Sequence, residues 1–164
     1  WEWRFEHDGS KVESLPVPSG LLPRLHGELI DRLASERAAF TPEAMASRTV
    51  PTRNELEQAH RSSEQLSRQV IAAQEELDWY VYGLYDLLGG EDFTFPLDEV
   101  PPIALGERAF EIVMARQIEA GELETTWFVR HGSTPITEMS SVPSRSLARA
   151  TSDQRSPSAN RAIR

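Results

Sequence analysis

TRNELEQAHRSSEQLSRQVIAAQEELDWYVYGLYDLLGG, Thr52 to Gly90, is the stretch on which the fold turns. Thr52 and Glu55 stand as T-x-x-E, the spacing at which a hydroxyl and a carboxylate each satisfy the other's backbone N–H at a helix start. Leu56, Ala59, Ser63, Leu66, Val70, Ala73, Leu77, Tyr80, Leu84 and Leu87 then recur at steps of three and four without a slip. That period predicts one helix from about Arg53 to Leu88, with an a/d seam sustained for about five heptads. At about 1.5 Å per residue the helix would be roughly 50 Å long. Gly89-Gly90 offers it a left-handed cap. Near its end the helix carries Trp79, Tyr80, Tyr82 and Tyr85, set among Glu75, Glu76, Asp78 and Asp86.

A partner lies upstream. Leu22, Leu25, Leu29 and Leu33 share one face of a helix predicted over Leu21 to Ala39, with Leu21 and Ile30 beside them. Pro23 is tolerated in the first turn, where its missing donor has no partner to lose. Thr41-Pro42-Glu43 restarts the chain as a short helical turn, and Val50-Pro51 breaks it. Residues 21–88 therefore read as a long helical hairpin. Ser63, Ala59 and Ala73 make the seam small and partly polar, which suits packing against the Leu22–Leu33 face better than a tight zipper.

Before the hairpin, WEWRFEH alternates with period two, Asp8-Gly9 is a turn, and SKVESLPVPSG is extended and closed by Pro16 and Pro18. Residues 1–18 read as the last β-hairpin of a β-rich unit. The chain begins at Trp1 inside that pattern, as a piece of a longer protein would. After the hairpin, residues 89–139 read as a Pro- and Phe-bearing loop and two short helices. The first runs from about Gly106 to Ala120, with Phe110, Val113, Met114 and Ile118 inward. The second runs from about Leu123 to Arg130. Residues 140–164 hold seven Ser and show no period. Such a segment buries too little apolar surface to offset its ordering entropy, so disorder is expected. It reads either as a slipped reading frame or as a genuine basic tail. The expected class is mainly α: a coiled-coil-like spacer with a β-hairpin remnant, a smaller C-terminal helical pair and a disordered tail.

Composition narrows the function. The net charge is −9. The segment from Ser140 carries five Arg against one Asp, which leaves the body with 12 basic and 25 acidic residues, a net −13. So acidic a body repels phosphate unless its cations cluster. There is no Cys, and His7, His26, His60 and His131 lack helical ligand spacing, so no metal site is expected. No apolar run approaches the roughly 18 residues of a membrane span, and the expected location is cytoplasmic.

Two clusters are candidates. Trp79, Tyr80, Tyr82 and Tyr85 form either a buried plug, clasped by the FTFP loop and the helix after it, or a docking surface for another domain. Base stacking is disfavoured, because the acidic neighbours repel phosphate. Glu-rich surfaces along the long helix read as its solvated face. In TTWFVRHGSTP, Arg130, His131, Ser133 and Thr134 offer hydrogen-bond donors at a helix end, with Trp127 as anchor. They form either a contact to DNA or a partner, or a C-terminal cap in which Arg130 and His131 offset the helix dipole and Gly132 closes the turn.

Three blocks, FEHDGSKVESLPVP, QEELDWYVYGLYDLL and IALGERAFEIVMARQIEAGELETTWFVRHGSTPITEM, carry a resemblance in their order and spacing. Over about residues 1–139 the chain resembles the C-terminal part of the large adenine-specific DNA methyltransferases of bacteriophage-exclusion (BREX) and phage-growth-limitation defence systems. The resemblance implies a parent that methylates adenine N6 from S-adenosylmethionine, acts on DNA, and works with other domains and defence-system proteins. It implies that residues 1–18 end a target-recognition-like unit and that these helices space and orient that DNA-reading unit. That chemistry uses N-P-P followed by an aromatic, which holds and stacks a flipped base. Here the one Pro-Pro, Pro101-Pro102, is preceded by Glu99-Val100 and followed by Ile103, and no glycine-rich turn for the methyl donor is present. No catalytic or cofactor-binding residue is therefore expected within this chain. The rival reading is a non-enzymatic helical module that oligomerises through the seam.

Overall fold

The structure is a computed structural model. It describes Glu13 and residues 21–87, 94–138 and 144–153. Its elements in chain order are α1 (Leu21–Ala38), α2 (Pro42–Ala46), α3 (Arg53–Leu84), α4 (Ala109–Glu119), α5 (Trp127–His131) and α6 (Ser144–Asp153). No strand occurs among the described residues. The expected β-hairpin falls on residues 1–18, which lie outside them except for Glu13, and Glu13 is helical where an extended stretch was expected.

The capping box that starts α3 is formed. The Thr52 N–H donates to Glu55 Oε2 at 2.7 Å, and the Glu55 N–H donates to Thr52 Oγ1 at 3.4 Å. Two donors left over by the helix start are thereby satisfied. α3 then runs unbroken for 32 residues. It stops at Leu84, not Leu88. Asp86 adopts φ 53°, and its N–H reaches Gly83 O at 3.0 Å while the Leu87 N–H reaches Tyr82 O at 2.9 Å. This is the paired hydrogen-bond pattern of a left-handed C-terminal cap. A short polar side chain lets Asp86 take a conformation usually left to glycine. Gly89-Gly90, the expected stop, lies outside the described residues.

α1 folds back antiparallel on α3. His26 stacks on Tyr80 at 5.8 Å between ring centres, with 21° between the planes. Leu33 is buried and lines a groove with Ala73. Ala59, Ala72 and Ala73 are buried on α3, and such small residues let a neighbour approach closely. The turn between the helices is set by α2, where Thr41 Oγ1 accepts from the Ala44 N–H at 3.2 Å and Pro42 occupies the first turn.

The segment after α3 runs back along it. The Phe95 N–H meets Glu76, and the Ile103 N–H meets Arg68 O at 3.3 Å, two turns toward the start of α3. The chain then returns so that α4 begins beside Glu75. Gly106, the expected first residue of α4, lies in the preceding turn with φ 92°, and the helix starts at Ala109. The second short helix is α5, Trp127–His131, later and shorter than expected.

The expectation of disorder in the tail is overturned over residues 144–153, which form α6. Ile112 of α4 and Ala150 of α6 are fully buried against each other, with Val113, Ile136 and Leu147 around them. A segment with so few aliphatics gains its order from tertiary partners, chiefly through Arg149, whose partner Glu76 lies 73 residues upstream.

Candidate functional site

The end of α3 that holds the aromatics is also where acidic side chains are most buried. Glu75 and Glu76 are only 3% and 1% exposed. This corrects the reading of the helix's Glu residues as a solvated face, which holds for Glu57 and Glu64 farther up the shaft. One turn's spacing explains the first contact: the Trp79 Nε1–H donates back four residues to Glu75 Oε1 at 3.0 Å. The same oxygen accepts the Ala109 N–H at 3.1 Å. Glu75 therefore caps the start of α4 from a different helix, placing negative charge at its positive end.

Arg108, just before α4, binds two carboxylates of α3. Its Nε donates to Glu75 Oε2 at 3.1 Å, and its Nη2 donates to Asp78. Its guanidinium also lies 4.7 Å from the centre of the Phe110 ring. Burial raises the Asp78 carboxyl above its ordinary range, with Glu75 adding to the shift, against hydrogen bonds from Gln74 and Arg108. A second arginine enters from α6. Arg149, 1% exposed, donates from Nη2 to Glu76 Oε2 at 2.8 Å. Glu76 Oε2 also accepts the Phe95 N–H at 3.2 Å.

Glu111 completes the cluster. Its Oε2 accepts the Gly106 N–H at 2.8 Å and the Arg108 N–H at 3.3 Å. Its Oε1 accepts the Trp127 Nε1–H at 3.1 Å. Glu75, Glu76, Asp78 and Glu111 thus meet the guanidinium groups of Arg108 and Arg149. Backbone N–H groups, two indoles and the Gln74 amide add further donors. Buried carboxylates persist only when so many donors converge on them. With both oxygens of Glu75, Asp78 and Glu111 engaged, the arrangement is a clamp rather than a general base. Among the described residues, no group of three or more His, Asp or Glu could hold a metal ion. No helix of the described residues is long and apolar enough to cross a membrane.

The aromatic set divides. Trp79 is buried at 7% and meets Tyr82 edge-on at 5.9 Å. Tyr80 is half-buried under His26. Tyr82 and Tyr85 are 42% and 43% exposed, so the plug is half plug and half surface. The FTFP loop does clasp Glu76, but through the Phe95 backbone.

The second cluster is a closed helix end. Gly132 takes φ 64°, and the Ser133 N–H returns to Phe128 O at 3.0 Å. His131 stacks on Trp127 at 3.9 Å, with Nδ1 2.8 Å from Trp127 O. Trp127 is held edge-on by Phe110 and by its bond to Glu111, and so anchors the loop. Arg130 and Thr134 are exposed, and Ser133 Oγ is buried without a hydrogen bond among the described residues. Sequence reasoning missed Arg108, Glu111 and Arg149. The one local signal was Glu75 standing four residues before Trp79.

A family described as "Domain of unknown function (DUF7008)" matches residues 70–155, from the lower half of α3 through α6. The chain is 43% identical over 143 residues to "Adenine-specific methyltransferase PglX" of Streptomyces coelicolor (strain ATCC BAA-471 / A3(2) / M145). That alignment covers 85% of this chain but 12% of the relative's length. No solved structure matches.

Proposed function

Because this chain belongs to the DUF7008 family, and because it so closely parallels a part of PglX, we propose that it is a non-catalytic helical part of a defence-system, adenine-specific DNA methyltransferase. Its task in this reading is to space and orient a DNA-reading unit relative to the rest of the enzyme. S-adenosylmethionine, DNA and other defence proteins meet other parts of the parent. The observation that carries the reading is the 43% identity to an adenine-specific methyltransferase, over a stretch that includes the unbroken 32-residue α3 and its clamped end.

The surface supports a spacer rather than a DNA grip. Arg24 and Arg53 each pair with a Glu four residues on, and the body before Ser140 carries a net −13 that repels phosphate. The candidate contact to DNA in this reading is the exposed Arg130, with His131, Ser133 and Thr134 beside it. The test is excision of the matching segment from full-length PglX. The expected outcome is loss of methyl transfer to DNA from labelled S-adenosylmethionine, with donor binding retained. Undiminished methylation overturns the reading, as does methyl transfer by the present chain alone.

The rival oligomerisation module needs the α3 seam to be open. α1 lies along that seam, which supports a monomer. Sedimentation separates the two readings, since the module requires a stable dimer and the hairpin a monomer.

A further inference from the structure

A groove of about 370 Å³ lies where α1, α3 and the loop after α3 come together. That is the small end of the range for ligand pockets, about 300–1,000 Å³. Leu29 and Leu33 of α1, Ala73 of α3, and Leu97 and Val100 of the loop give it aliphatic walls. Leu33 and Ala73 are buried, and the other three are half-buried. Four polar side chains share the space: Arg32 and Glu36 from α1, Gln69 from α3 and Asp98 from the loop.

The α1 pair behaves unlike its neighbours. Arg24–Glu28 and Arg53–Glu57 have the same four-residue spacing and are bridged at 2.8 and 2.9 Å. Arg32 and Glu36 are not bridged. Among the described residues, no hydrogen bond or ion pair engages the side chain of Arg32, Glu36, Gln69 or Asp98. One guanidinium, two carboxylates and one carboxamide therefore line a single groove with their donors and acceptors uncommitted. A plain anion entering it would meet two like charges, and a plain cation would meet Arg32. A molecule that carries both signs can turn each end toward its opposite.

We infer that the groove binds a small zwitterion of the aliphatic amino-acid class. Its carboxylate pairs with Arg32, whose planar fork of donors matches two carboxylate oxygens, and the Gln69 amide adds a further donor. Its ammonium group turns to Glu36 and Asp98, and its alkyl chain rests on Leu29, Leu33 and Leu97. Because three separate elements contribute, a bound molecule ties the loop to the α1–α3 hairpin and stabilises the folded chain. This inference is independent of the methyltransferase reading.

The test uses the purified chain and follows the backbone amide resonances of Ala73, Leu97 and Val100. L-leucine is expected to shift them saturably. Leucinamide, which lacks the carboxylate, and isocaproate, which lacks the ammonium group, should each bind at least about tenfold more weakly, since each loses its charge-assisted hydrogen bonds at one end. Arg32→Gln should weaken leucine by a similar factor without weakening leucinamide, and Asp98→Asn should weaken leucine without weakening isocaproate. Arg32 and Asp98 are exposed, so both variants are expected to keep the circular dichroism of the parent. Absence of a saturable shift at tens of millimolar leucine overturns the site. Equal binding of all three probes overturns the charge pairing. Tighter binding of leucinamide than of leucine overturns the zwitterion in favour of a basic side chain from a partner protein.

Discussion

Replacing Glu75 by Gln changes almost no volume and tests whether the clamp holds the fold. Glu75 Oε1 accepts two N–H groups and Oε2 accepts a third from Arg108. An amide keeps one acceptor and turns the other corner into a donor. Whichever way it is turned, an NH₂ faces an N–H. Charge-assisted hydrogen bonds contribute about 1.5–3 kcal/mol each, and breaking a buried ion pair costs about 3–5 kcal/mol. Arg108 retains Asp78 and is partly exposed, which places the expected loss at the lower end, about 3 kcal/mol. For a chain of this size that lowers Tm by roughly 6–12 °C. The assay is urea unfolding followed by circular dichroism, with an unchanged m-value, and a thermal scan alongside. Glu57→Gln is the control, because exposed helix pairs such as Arg53–Glu57 contribute only about 0.3–0.5 kcal/mol. A Glu75→Gln loss below about 1 kcal/mol would show that the cluster is no more than surface-like charge pairing, and the clamp would fail as an explanation.

Asp86→Gly should stabilise the chain by about 1 kcal/mol in the same unfolding assay, since glycine takes φ 53° without the Cβ penalty. Gly106→Ala should cost roughly 2 kcal/mol or more, because φ is 92° and the new Cβ would stand 2.9 Å from Thr134 O. The Thr52 N–H and hydroxyl hold the Glu55 carboxyl below its ordinary range. A lowered acid contributes stability that is present above its unfolded pKa and lost as pH falls through the folded one. Glu55→Gln should therefore flatten the fall of the urea midpoint below the ordinary glutamate range. Asp78 has the opposite sign: burial raises it, so its protonation on acidification offsets part of that fall, and Asp78→Asn should steepen the acid limb.

The shaft was legible because its signals are local. The T-x-x-E box, the three-four stepping of the seam and the Leu22–Leu33 face lie within a turn or two of what they determine. The stop of α3 was misplaced by four residues because an aspartate can do what glycine usually does. The clamp was hidden for a different reason. Glu75 and Glu76 sit in a run that looks solvated, and the donors that justify their burial come from Phe95, Arg108 and Arg149, far along the chain. Composition made Ser140 onward look structureless, since nothing local distinguishes an arginine that enters an acidic notch from one that points into water. The aromatic cluster was half legible: pattern alone separated neither the enclosed Trp79 from Tyr82 and Tyr85 nor their neighbours.

The ion pairs along the outer shaft have an effect at a distance. Arg24 and Arg53 each have an anion one turn away, so each pair projects outward as a short dipole whose field dies off faster than that of a separated charge. Beyond about 10 Å in ordinary salt, a passing polyanion would feel little of them, neither drawn in nor pushed aside. Whatever push such a passer-by meets comes from the net −13 of the body, and not from those pairs.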